Sequence, residues 1–171
     1  IRDRNAEIIC QSIADTLGEI DPENKDTYEA NVAAYIEELA GLDVQYQDTV
    51  DTASRKTVLF GDRFPFRYMV DDYGLNYYAA FAGCSAESEA SFETISFLAK
   101  KVDELQLPCI LTIEGEQHKI AETIKANTQN QDQEILTMKS MQSVTSEDVQ
   151  NGANYFSIME ENLNVLKQAL N

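Results

Sequence analysis

The part of the chain after Lys56 repeats one pattern four times: a short apolar run, then a stretch with helical spacing. The runs are 57–60, Asn76–Phe81, Cys109–Ile113 and Glu134–Met138. The helical stretches are 64–73, Phe92–Leu105, 118–126 and 146–170. Strands separated by helices pair in parallel, through right-handed crossovers that leave helices on either face. The spacing therefore predicts an α/β fold: a four-stranded parallel sheet with helices on both faces. Phe92, Ile95, Leu98, Val102 and Leu105 are expected to turn inward from one helix, and Phe156, Met159, Leu163, Leu166 and Leu170 from the last. Thr145 and Asp148 have the spacing of a capping box at the start of that last helix.

Ahead of this repeat lies a different pattern. Ile9, Ile13 and Leu17 recur every four residues, with Cys10 and Ala14 beside them, which predicts an amphipathic helix closed by Gly18. Asp21-Pro22-Glu23-Asn24 then offers an N-cap, a proline at the first helical position and an acidic first turn. From there Tyr28, Val32, Tyr35, Ile36, Leu39, Leu42, Tyr46 and Val50 keep one stripe, so 22–54 reads as a single rod about 45 Å long. A rod of that length exceeds what one small domain needs and suits a helix joining two lobes. The expected organisation is residues 1–20 as the end of one lobe, 21–56 as a long interlobe helix that precedes the sheet, and 57–171 as a second, α/β lobe.

Parallel sheets place ligand groups where the strands' carboxyl ends open into a crevice. Asp62 and Arg63 follow the first run in what reads as a polar turn; one could ligate a metal and the other hold an anion, or the two could be a salt bridge. Glu114 and Glu116 follow the third run, and Gln142 and Ser143 follow the fourth. His118 is the sole histidine, so any zinc site built from this chain alone lacks the usual histidine cluster. The small-residue turn Gly83-Cys84-Ser85 and the nearby Glu87 and Glu89 read as structural. Asp71 and Asp72 fall on the helix after Asp62, away from the strand end.

The formal charge of −17 argues against nucleic-acid binding, whose phosphate contacts need clustered Lys and Arg. Cys10, Cys84 and Cys109 have no C-x-x-C spacing, and Cys10 and Cys109 sit in apolar runs as expected of core thiols. The sequence has no apolar run of about 18 residues, the length a membrane-spanning helix needs. No G-x-S-x-G elbow, Walker loop or H-E-x-x-H is present, and a lone histidine leaves little room for a triad, so the expectation is a protein that is not an enzyme. The first residue is Ile1, almost inside a helix, as in a fragment of a longer chain.

Several stretches together resemble the zinc and manganese solute-binding proteins of bacterial ABC transporters: D-P-E-N-K-D-T-Y-E-A-N-V-A-A-Y at 21–35, F-G-D-R-F-P-F-R-Y-M-V-D-D-Y-G-L at 60–75, S-M-Q-S-V-T at 140–145, and Y-F-S-I-M-E-E-N-L-N-V-L-K-Q-A-L at 155–170. The resemblance covers nearly the whole chain. It implies a receptor that delivers Zn²⁺ or Mn²⁺ to an ABC transporter permease and that lies outside the cytoplasm, periplasmic or as a cell-surface lipoprotein tethered through an N-terminus absent here. The family usually places a His or Glu after the first strand of this lobe and an acidic residue after the last. Those positions fall on Arg63, beside Asp62, and near Gln142 or Ser143. The metal set expected on this basis is Asp62, Glu114, His118 and Gln142, with Arg63 and Ser143 lining the pocket. Two other readings stay open: a module for an anionic or small organic ligand held by Arg63, and a surface adhesion protein with a degenerate metal site. A lobe separated from its partner could also dimerise through the face it exposes.

Overall fold

The first strand, β1, runs over Thr57–Arg63 and is buried from Val58 to Gly61. In the computed structural model, which describes residues 3–81, 90–115 and 118–171, three further strands join it: β2 Asn76–Phe81, β3 Cys109–Ile113 and β4 Glu134–Met138. The order is β2-β1-β3-β4, and every pairing is parallel. The four-stranded parallel sheet read from the sequence is what the chain forms.

Helices cover both faces. On one, α4 (Phe92–Leu105) and α5 (Lys119–Ala126) pack Ile95, Leu98, Ala99, Val102, Ala121 and Ile124 against Leu59 and Ile110. The alternate positions Val58, Phe60 and Leu111, equally buried, turn to the other face, where α7 (Tyr155–Leu170) lies on β1, β3 and β4. A strand covered on both sides carries a continuous apolar run, which is why these segments lack the alternation of a half-exposed sheet.

Several boundaries differ from the sequence reading, each for a local reason. The strand β1 continues through Asp62 and Arg63, which therefore end a strand instead of forming a turn. The next helix, α3, begins at Arg67, not at 64, because Phe64 precedes Pro65 and is pushed out of the helical region; it stops at Tyr73, where Gly74 takes the left-handed conformation (φ 68°). The stretch 146–170 is two helices, α6 (Ser146–Gln150) and α7. Gly152 (φ 95°) breaks it, and Asn154 with Ser157 forms a second capping box after that of Thr145 and Asp148. The expected α7 stripe is buried at Met159, Leu163, Leu166 and Leu170 and half-buried at Phe156. In α4, Phe92 is 78% and Leu105 38% exposed, against expectation. Phe92 is the first helical residue, and side chains lean toward a helix's N-terminus, so its ring projects past the packed turns.

The chain divides into two compact units, Ile1–Asp48 and Thr49–Asn171. In the first, α1 spans Asp3–Ile20 and runs through Gly18 instead of ending there. Its covered face is the small-residue line Ala6, Ala14 and Gly18, with Cys10 half-buried, whereas Ile9 and Ile13 are 50% and 53% exposed. Small side chains let a neighbour come close: the stem of Lys25 sits where a Cβ on Gly18 would meet its Cγ at 3.0 Å. Pro22–Asn24 winds as a 3-10 turn, and Asp21 makes no cap bond; its carboxylate accepts from Asn24 Nδ2 and Tyr28 Oη, both at 2.8 Å. The helix α2, Lys25–Thr52, follows with 28 residues, about 42 Å of rod, and its stripe is buried at Val32, Leu39, Leu42, Tyr46 and Val50 as read.

Candidate functional site

In this strand order the connection after β1 runs to one side, to β2, and the connection after β3 runs to the other, to β4, so the β1/β3 gap is the switch point where a crevice opens. Asp62 stands at the carboxyl end of β1. Its Oδ1 accepts from the Arg63 N–H at 2.7 Å and its Oδ2 from the Ile113 N–H at 3.3 Å, so one carboxylate ties the ends of the two strands together. Arg63 holds its Nε 3.9 Å from Asp62 Oδ1, a loose pairing, with a side chain 39% exposed.

A register shift sets how these two residues face. Between Phe60 and Arg63 the first strand takes three steps while β2 takes two, from Ala79 to Phe81. Gly61 lies inside that shift, and a Cβ there would come within 2.6 Å of the Ala121 Cα. The absence of a side chain lets α5 sit directly on the strand end. His118 is the residue that opens α5, and its Nδ1 is buried with no hydrogen-bond partner.

Glu114 follows β3 and gathers the loop after β4. Its Oε2 accepts from the Ser140 N–H (2.6 Å); its Oε1 accepts from the Ser140 hydroxyl (2.6 Å), the Gln142 N–H (3.2 Å) and the Ser143 hydroxyl (3.3 Å). Between the two amides Met141 adopts φ 66°, which turns them toward one anion in the manner of a backbone nest. Burial pushes the Glu114 carboxyl up, but the hydrogen bonds from Ser140 and Gln142 outweigh it and hold the group below its ordinary range. Beside this loop a cavity of about 140 Å³ is flanked by Met141, Val144, Ala153 and Ile158, with Glu114 and Ser143 at its polar side.

Of the residues singled out in the sequence, then, Glu114, Gln142 and Ser143 are brought into direct contact, and Asp62 reaches the residue next to Glu114. His118 stands at the start of α5, and no bond joins it to the others. Asp71 pairs with Arg67 at 2.8 Å along α3, away from this rim. Glu116 and the turn carrying Cys84, Glu87 and Glu89 lie outside the described residues. Among the described residues no three His, Cys, Asp or Glu side chains converge as a metal-holding group. The groups joined on the rim are instead a mixture of carboxylate, backbone amide and hydroxyl groups.

Sequence reasoning passed over Asn162, which grips the same loop from behind. Its Oδ1 accepts from the Lys139 N–H at 2.7 Å and its Nδ2 donates to the Lys139 carbonyl at 2.9 Å. The Lys139 ammonium also pairs with Glu161. A polar residue inside the apolar stripe of Met159, Leu163 and Leu166 is the signal that could have found it.

Residues 3–169 match the family described as "Zinc-uptake complex component A periplasmic". The chain is 33% identical over 162 residues to a zinc-binding lipoprotein, AdcA, of Streptococcus pneumoniae serotype 4, covering 94% of this chain and 31% of that protein. It is 31% identical over 150 residues to the high-affinity zinc uptake system protein ZnuA of Bacillus subtilis, covering 88% and 46%. The crystal structure of the Zn(II)-bound ZnuA-like domain of S. pneumoniae AdcA superposes with a TM-score of 0.71 at 32% identity, over 92% of this chain and 57% of that one. The chain thus spans a third to a half of the length of these curated relatives. Among the described residues no helix is long and apolar enough to cross a membrane. Sequence and fold agree along nearly the whole of it, and the chain belongs to the ZnuA family of zinc-binding, solute-binding proteins of metal uptake systems.

Proposed function

We propose that this chain is part of an extracytoplasmic receptor that captures a zinc ion and hands it to an ABC transporter permease, catalysing no reaction. In this reading residues 57–171 are one α/β lobe, 21–56 the interlobe helix and 1–20 the end of the other lobe. The observation that carries it is the polar rim at the β1/β3 switch point, in a chain whose relatives are named for zinc. Asp62, His118 and the Gln142 side-chain carbonyl are the groups that would touch the ion. Glu114 would do so only by giving up hydrogen bonds from the loop, so its part is to shape the rim while the ion is loaded. Arg63 cannot ligate a cation, and beside the ion it would orient Asp62 or a counter-anion.

Zinc titration against a chromophoric competitor, with Asp62→Ala, His118→Ala and Arg63→Ala alongside, tests this. Zinc should bind the wild-type chain, and the first two substitutions should weaken it while the third leaves it in place. Zinc binding untouched by Asp62→Ala and His118→Ala, or none at all, overturns the reading. A titration of anions in which only Arg63→Ala matters would replace it with an anion receptor. Donors that are mostly oxygen favour a harder ion, which gives Mn²⁺ a specific claim as the cargo. Parallel titration of the two metals decides between them.

A further inference from the structure

Asn162 is 1% exposed, on the side of α7 that also buries Met159, Leu163 and Leu166. A buried amide must pair both its donor and its acceptor, and this one spends both on a single residue, Lys139, the first after β4. The side chain acts there as a further strand would, closing the ladder where β4 runs out. The next two held N–H groups, of Ser140 and Gln142, belong to Glu114. Four backbone groups of 139–142 are therefore fixed by two side chains, one from α7 and one from the end of β3, with Met141 kept in the left-handed region between them.

We propose that Asn162 is a positioning residue of the site: by pinning Lys139 it sets the place from which Gln142 and Ser143 face the rim. This rests on the rim being where the ion binds. The chemistry admits few substitutes. Asp keeps the acceptor for the Lys139 N–H but sets a carboxylate against its carbonyl; Leu fills the space and satisfies neither group. Residues that orient a metal site without touching the metal lower its affinity by about 10- to 100-fold when replaced.

Amide hydrogen exchange and zinc titration on the same chains, wild type, Asn162→Leu and Asn162→Asp, separate positioning from general support. In Asn162→Leu the Ser140 and Gln142 amides should exchange about tenfold faster or more, those of Ile110 and Leu111 in β3 should keep their wild-type rates, and zinc affinity should fall within the range just given. Asn162→Asp should lie between, and serves alone if the leucine variant fails to fold. Unchanged exchange at Ser140 and Gln142, or equal acceleration of loop and strand, overturns the proposal. Faster loop exchange with zinc affinity at the wild-type value overturns it as well. A wild-type chain that binds no zinc counts against the receptor reading instead, and the exchange rates still decide whether Asn162 holds the loop.

Discussion

The Glu114 carboxylate accepts four hydrogen bonds from one loop, so its charge state and the loop's order are linked. Because its pKa lies below the ordinary value of 4.5 in the folded chain, the stabilisation it gives is complete above that value and is lost as pH falls through the lower folded one. Acid unfolding should accordingly begin at a higher pH and rise less steeply in Glu114→Gln than in the wild type, as circular dichroism against pH would show. At neutral pH Glu114→Ala should cost about 1–3 kcal/mol, read from urea melts. The Cys109 thiol is a second residue with a defined signature. Burial, with the Glu134 carboxylate nearby, pushes it up to about 12, so native Cys109 should resist iodoacetamide at pH 8 and react only on unfolding. Peptide mapping that finds it alkylated as fast as half-buried Cys10 would contradict this. Of these site residues, Glu114, Gln142 and Ser143 could be read from the sequence because they follow apolar runs, Glu114 directly and the other two within a short loop. Asn162 could not be placed so, since its partner Lys139 is remote in sequence and only the fold brings the two together.

At the scale of elements, two junctions carry more than their residues suggest. Adding a methyl group at Gly61 drives it into the Ala121 backbone, which a flexible side chain cannot relieve. Gly61→Ala should destabilise the chain by roughly 1–3 kcal/mol and lift the start of α5 off β1, seen as a lower urea midpoint and altered His118 ring shifts. The break between α6 and α7 depends on Asn154, whose side chain accepts from the Ser157 N–H at 2.9 Å. Asn154→Ala should cost about 1 kcal/mol in the same measurement. The periodicity ran through this break because Val149, Phe156 and Met159 keep apolar spacing across it, while Asn-Gly followed by an Asn cap speaks for a stop. Likewise Ile9, Ile13 and Leu17 looked like a core stripe on spacing alone; hydrophobicity identified an apolar face of α1, but closeness of approach chose the small-residue face for burial.

For the whole molecule, the strand order and the crossovers follow from the alternation of strand and helix, so the architecture was legible while the residues' exact facing was not. A net charge of −17 makes the folded chain repel itself more than the expanded one. Raising the salt concentration from about 0.01 to about 0.5 M should screen this and move the urea midpoint upward. A midpoint that falls with salt would show instead that local ion pairs such as Arg67–Asp71 outweigh the repulsion. The extra step that β1 takes between Phe60 and Arg63 has a consequence of its own. Along a strand, neighbours point to opposite sides, so losing a single residue there would exchange the sides of Asp62 and Arg63, presenting a cation where an anion now ties β1 to β3. The polarity of the crevice is thus written as a count of residues as much as a choice of them. A segment transplanted here from a relative would have to match in length before its chemistry could matter.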